Sequence, residues 1–390
     1  MSVAAPQSMS SSAPRAEAPA RSPFARVETY DDPARALRAW RDLSPESPGS
    51  YYQTEPFLLA WLEIFAPRRK ATPFFVVAYD AAGAPLAFLP LGLFRFGPLR
   101  VAQFLGGKHS NYNLGLFRAG ADFSAQDLRR LLRAAAHSTP GGPHLYRLLN
   151  LPLLWRGAVN PLTWLDHQPA ASRAHAAHLP ADGDAFLASR LSTDTRKKLR
   201  KKEKRLAAMG ALHYFRARDP QEKRYVLDAF FRHKIGRPEF ALPEAELDAT
   251  RRFYRALASG ESGAELHALA LDDRIIAVLG AGAAGSRLQG MFISYDPDPE
   301  IAKSSPGEIL LTHVLRDACA RKFAAFDLGV GDARYKASFC DEAEPLADAL
   351  YAPTAGGRLA LPFFTLAAAA KRIIKRNPKL LALAEKIQRR

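Results

Sequence analysis

The groups best suited to chemistry are concentrated in GMFISYDPDPEIAKSSPGEILLTHVLRDACARKFAAFDLGVGDARYKASFC, residues 290 to 340. There Ser304, Ser305, Pro306 and Gly307 open a run with helical apolar spacing. A seryl cap, Pro at the first helical position and a Gly beside it leave unshielded N–H groups at the positive end of a helix dipole. That arrangement suits an anion the size of a pyrophosphate. The same residues also make an ordinary helix start. Downstream, Asp327 stands among apolar residues at a strand end, where burial raises a carboxyl pKa; before Leu-Gly it equally serves as a turn acceptor. Tyr335 and Lys336 follow, either as a proton donor beside a phosphate-holding ammonium or as surface packing. Gly329-Val330-Gly331 is a fragment of a glycine loop and falls short of the dinucleotide pattern.

A second concentration is cationic. Between Asp194 and Met209 stand Arg196, Lys197, Lys198, Arg200, Lys201, Lys202, Lys204 and Arg205, with Glu203 as the acid among them and Leu199 and Leu206 as a thin apolar stripe. A charge run is usually a solvated face, yet this density repels itself unless an anion lies nearby. Arg196, Lys197 and Arg200 are the candidates for holding an anionic substrate. His109, in GGKHSNYN, is placed to face a substrate from a polar loop, whereas His313 follows the helical apolar rhythm and reads as packing. No HExxH, GxSxG or Walker loop occurs, which removes zinc hydrolase, serine hydrolase and nucleotide triphosphatase chemistry. Cys319 and Cys340 have neither disulfide-framework nor zinc spacing, so a reducing compartment and no metal are expected.

The elements that must position these groups recur in the same order twice. Helices at Asp32–Leu43 and Glu55–Phe65 precede PFFVVAYD, LAFLPLGLFRF and LRVAQFLGG, a meander broken by turn residues, then a helix at Ser124–His137 and the strand HLYRLLNL. Helices ending at Ser259 precede ELHALALDD, RIIAVLGAGAA and SRLQGMFISYD, then a helix from Pro306 and the strand AAFDLG. Two such passes in 390 residues predict a duplicated α+β architecture. The expected boundaries are a disordered leader at 1–25, a first domain at 26–168, a second at 169–358 and a basic amphipathic tail at 359–390. The net charge of +16 favours anionic partners. No apolar run reaches the roughly 20 residues of a membrane span. No signal peptide is evident, so a cytoplasmic location is expected. The tail, with eight basic residues from Lys371 to Arg390, is expected either to cap the second domain or to lie on an anionic membrane surface.

The order of meander, strand, helix start and strand resembles the GNAT acyl-CoA-binding fold. SPGEILLTHVLRDACARKFAAFDLGVGDARYKASF, LSTDTRKKLRKKEKRLAAMG, EPFLLAWLEIFAP and FLPLGLFRFGPL are similar to CelD-like (BcsL-type) GNAT acetyltransferases associated with cellulose and exopolysaccharide biosynthesis, relatives of the tandem-GNAT Fem transferases. The resemblance implies two tandem GNAT-like domains, each a mostly antiparallel mixed sheet flanked by helices. It implies acetyl-CoA or another acyl-CoA as co-substrate and a sugar- or phosphate-containing acceptor with a free amine or hydroxyl. It also implies polysaccharide biosynthesis, with a polysaccharide synthase as a partner reached through the tail. In that frame Met291, Phe292, Ile293 and Ser294 offer backbone groups to the pantetheine arm, and Ser305, Pro306 and Gly307 hold the pyrophosphate. Asp327 becomes the candidate general base, Tyr335 the donor to the leaving thiolate, and Lys336 a holder of the acceptor's charge. The usual Arg/Gln-x-x-Gly-x-Gly/Ala loop is absent. A non-catalytic accessory and a Fem-like, aminoacyl-tRNA-dependent transferase are the alternatives.

Overall fold

The computed structural model describes residues 22–45, 47, 49–237, 240–331, 333–377 and 380. The expected leader up to residue 21 and the tail beyond residue 380 lie outside the described residues. The last leader residues belong to the first lobe, because the Ala25 N–H donates to the Tyr79 carbonyl and Phe24 stacks on Phe123.

The two meanders fold as their turn residues dictate. In the first sheet, Arg26–Tyr30, Thr72–Tyr79, Pro85–Phe96 and Leu99–Phe104 pair antiparallel in that order, and Leu145–Pro152 then runs parallel to Leu99–Phe104. In the second sheet, Leu212–Arg216, Ala264–Leu271, Arg274–Ala284 and Arg287–Tyr295 repeat the antiparallel run, and Ala325–Val330 lies parallel to Arg287–Tyr295. Each parallel join needs a crossover, supplied by the helices Ala125–His137 and Pro306–Ala320. The first carries a capping box, in which Ser124 and Asp127 satisfy each other's backbone N–H groups. The architecture is the expected α+β pair.

One strand crosses the expected boundary. Leu346–Tyr351, placed by sequence in the second domain, pairs with Leu145–Pro152 of the first sheet. In the second sheet, Ala174–His178 sits between Ala325–Val330 and Glu342–Glu344. The lobes are also joined by a common core. Tyr51, Tyr52, Phe57 and Phe65 pack with Phe253 and Leu257, and the Phe57 and Phe253 rings lie 5.3 Å apart edge to face. Gly282 permits this closeness, since a Cβ there would stand 2.2 Å from the Tyr51 ring.

The tail begins as a helix, Ala355–Arg376, which runs through Pro362. Thr354 caps it by accepting the Gly357 N–H at 3.1 Å. A Cβ on Gly357 would fall 1.7 Å from the His144 carbonyl oxygen, so the helix docks on the first sheet only with glycine there. Phe364 fills a small core with Val101 and Leu145, while Leu359, Phe363, Leu366 and Ile373 remain exposed. The described part of the tail therefore packs on the first lobe. No described helix is long and apolar enough to cross a membrane.

Candidate functional site

The site grows from a divergence of two parallel strands. Arg287, Leu288 and Gln289 align with Ala325, Phe326 and Asp327, and pairing stops there. On its other side the strand Arg287–Tyr295 stays bonded to Arg274–Ala284, with a bulge between Gly280 and Ala281. Beyond Gly290 the strand therefore has no strand partner on the diverging side among the described residues, and Met291, Phe292, Ile293 and Ser294 lie on that free stretch. An open sheet edge of this kind suits an extended ligand with amide groups.

Opposite the edge the helix Pro306–Ala320 begins. Ser305 is its N-cap residue, with φ 51° and ψ 55°, and makes no side-chain cap hydrogen bond. This corrects the expected capping role. The Ser305 hydroxyl instead accepts from Lys202 Nζ at 2.7 Å, and the Ser304 hydroxyl accepts from Arg205 Nε at 2.9 Å and Nη2 at 2.6 Å. Two cations of the helix Thr193–Ala207 thus stand beside the positive end of a helix dipole, a combination that attracts a phosphate. A cavity of about 360 Å³ lies between edge and helix start, lined by Ile293, Tyr295, Ser305, Gly307, Glu308 and Tyr335 together with Lys234 and Arg237. A Cβ on Gly307 would meet only Ile293 and Tyr295, both at 3.8 Å, so a side chain fits there and projects into the cavity.

The structure thus brings together the predicted Ile293, Ser305, Gly307 and Tyr335. Pro306 is buried at the helix start. Burial, then Cys340, push the Tyr335 phenol upward, which keeps its proton in place at neutral pH. Ser294 is withdrawn from the cavity. It is buried and its hydroxyl bonds to His233 Nδ1 at 3.1 Å, while His233 Nε2 donates to the Ile275 carbonyl at 3.0 Å. The carbonyl can only accept, so Nε2 carries a proton, and burial, which pulls the imidazole down to about 4, leaves Nδ1 unprotonated to accept from Ser294.

Three expectations are corrected by packing. Asp327 is 0% exposed; Oδ2 accepts from Arg287 Nη2 at 3.2 Å and Oδ1 accepts the Gly329 N–H at 2.7 Å. Burial pushes its carboxyl upward against the pull of Arg287, and it does not line the cavity. It anchors the strand pair at the point of divergence and is not placed as a general base. Lys336 is buried and donates to the carbonyls of Gly329 at 3.2 Å and Val330 at 3.0 Å, so it holds a strand end instead of an acceptor. His109 turns away from solvent and stacks on Phe65 at 4.5 Å between the lobes, and burial pulls its imidazole down to about 3. Its neighbours Lys108 and Asn111 line a different, polar cavity.

On the basic helix the register decides which cations act. Lys197 and Arg200 are exposed, and Arg196 Nε donates to the Leu191 carbonyl at 3.2 Å, finishing the preceding helix. Lys202 and Arg205, further along the helix, reach the site. Helical periodicity could have separated them, had the partner surface been known. Glu308 was also missed; its signal is only its place in the first helical turn beside Gly307. His313 Nε2 lies 2.8 Å from Glu203 Oε1 and its ring stacks on Tyr214, consistent with packing. Among the described residues no group of His, Cys, Asp or Glu could hold a metal. Cys319 and Cys340 are buried free thiols.

Two mixed sheets, each with a late parallel strand beside an antiparallel meander, make this a duplicated α+β fold. Residues 193–337, which contain the cavity just described, match the acetyltransferase (GNAT) domain family. The whole architecture is similar in fold to solved structures. FemX is 9% identical, with 82% of this chain and 96% of that chain covered and a TM-score of 0.52. L-PGS from Bacillus licheniformis is 13% identical, with 87% and 97% covered and a TM-score of 0.50. A conserved protein of unknown function from Bacteroides thetaiotaomicron is 11% identical, with 83% and 99% covered and a TM-score of 0.52. At these identities the likeness is one of fold. No curated protein matches the sequence.

Proposed function

We propose that the chain is an acyltransferase that moves an acetyl or related acyl group from an acyl-CoA to an amine or hydroxyl of a sugar- or phosphate-containing acceptor. The observation that carries this reading is the free strand edge after Gly290 facing a helix start flanked by Lys202 and Arg205. The edge suits pantetheine amides, and the helix start suits a pyrophosphate. In the reaction the acceptor's nitrogen or oxygen attacks the thioester carbonyl, the C–S bond breaks, and the acceptor loses a proton. In this reading Tyr335 protonates the leaving thiolate and Glu308 takes the acceptor's proton, and the position of both in the cavity lining supports it. The exopolysaccharide resemblance supports a glycan precursor as acceptor. A thiol-release assay with acetyl-CoA and a panel of amino sugars and sugar phosphates tests the activity. Acceptor-dependent release that falls in Tyr335→Phe supports it, and release indifferent to every acceptor contradicts it.

The exposed face of the basic helix, with Lys197, Lys198, Arg200, Lys201 and Lys204, favours a second reading, transfer from aminoacyl-tRNA. Binding of tRNA that weakens steeply with salt would support that reading, and salt-indifferent or absent binding would remove it.

A further inference from the structure

A second cavity, of about 400 Å³, lies between the lobes and is closed on one side by the tail helix. Arg147 from the first sheet and Lys371 and Lys375 from the tail helix line it, and Asp348 is the carboxylate among its lining residues. The cations find neutral partners: Arg147 Nη1 donates to Gln103 Oε1 at 2.9 Å and Lys375 Nζ to Ser172 Oγ at 3.1 Å. Lys108, also at the wall, is paired with Glu246 at 2.9 Å and adds nothing to the excess. Asp348 accepts the Asn150 N–H at 2.9 Å, and burial pushes its carboxyl upward against the pull of that bond, Lys371 and Arg147, so one carboxylate faces three cations. Burial, then Lys375 and Arg147, push the Lys371 ammonium downward, against the pull of Asp348.

The cavity meets the divergence that makes the acyl site. Asn111 lines it, and Asn111 Nδ2 reaches the Gly290 carbonyl at 3.2 Å, where the strand edge becomes free. Val330, at the end of the other diverging strand, lines it as well.

We infer that this cavity binds a phosphate-class anion carried by the acceptor, with Arg147, Lys371 and Lys375 as its cations. The inference deepens the proposed acyl transfer and rests on it for the word acceptor, while the anion site itself stands on the cavity's own charges. The strand Leu346–Tyr351 gains a reason for crossing to the first sheet, since it delivers Asp348 and leads into the helix that closes the site. The phosphate belongs either to a soluble ester or to a lipid headgroup.

Both sources are tested by direct binding. Glycerol 3-phosphate is titrated calorimetrically into the wild-type chain and into Gly307→Glu, in which the acyl site is obstructed. Co-sedimentation is measured with vesicles of phosphatidylcholine with and without phosphatidylglycerol. Binding of one probe is expected, unchanged in Gly307→Glu, weakened about tenfold in Arg147→Gln, the loss of one charge-assisted contact, and weakened further in Lys371→Gln/Lys375→Gln, the loss of two. Arg147→Gln leaves the tail helix surface intact, so its effect separates the cavity from general attraction of a basic helix to anionic vesicles. Binding in the soluble assay identifies a free ester, and binding to phosphatidylglycerol vesicles alone identifies a headgroup. Failure of both probes to bind, or binding that Arg147→Gln does not weaken, overturns the inference. Because neither assay uses acyl-CoA, that failure is distinct from a failure of the acyltransferase reading.

Discussion

Tyr335 and Asp327 illustrate how little a residue's type says before its surroundings are known. Tyr335 lines the cavity and keeps its proton, so Tyr335→Phe is expected to lower kcat on the order of a hundredfold with KM for acyl-CoA nearly unchanged; steady-state kinetics read this directly. Asp327 is buried against Arg287, so Asp327→Asn is expected to lower the unfolding free energy by about 3 kcal/mol, because it strips a buried guanidinium of one partner. Denaturant unfolding measures that loss, and an unchanged midpoint would contradict the anchoring role. The sequence marked both residues through their position around a strand end. It could not show that Asp327 turns to Arg287, forty residues earlier, because that pairing depends on the parallel register of two strands. His109 was misread for a similar reason: a polar loop was legible, but the aromatic wall of Phe65, Phe253 and Tyr254 is assembled from two helices distant in sequence.

At the scale of elements, local patterning carried far. The meanders, the crossover helices and the basic helix lie within a few residues of where apolar spacing and turn residues put them. The short strands His167–Pro169, Ala174–His178 and Glu342–Glu344 left no such pattern, since they form only beside a strand already in place. The basic helix acts through one stripe. Lys202→Gln and Arg205→Gln are each expected to raise KM for acyl-CoA about tenfold, the loss of one charged contact to a phosphate, whereas Lys197→Gln and Arg200→Gln leave it unchanged. Initial rates across an acyl-CoA series check this contrast. The helix Pro220–Lys234 brings His233 against Ser294, Ile275 and Asp296, and burial pulls its imidazole down to about 4. The unfolded chain therefore takes up this proton first on acidification, so stability is full above pH 6.5 and falls as pH drops toward 4. Carboxylates held low, such as Glu265 at about 2, add their own loss only below about pH 4.5. A urea midpoint lower at pH 5 than at pH 7.5, with a flatter dependence in His233→Gln, is the expected result.

Across the whole molecule, the shared core and the crossing strand make the lobes one folding unit. Tyr51 of the first lobe receives Gln289 of the second, its N–H donating to Gln289 Oε1 at 2.6 Å, and packs on Gly282. A single cooperative thermal transition is expected, lowered as a whole by Gly282→Ala; two transitions, with only one displaced, would contradict the common core. Duplication was legible because each lobe repeats a local order of elements. The exchange of Leu346–Tyr351 was not, because nothing local distinguishes a strand that joins the near sheet from one that joins the far one. It is this arrangement that sets a basic cavity beside the acyl site. The central claim, that the free strand edge and the helix start hold an acyl-CoA, is tested most directly by calorimetric titration of acetyl-CoA into the wild-type chain and into Gly307→Glu. Saturable binding by the wild type that is lost in the variant is the expected result. Absence of binding by the wild type, or equal binding by both, would contradict it.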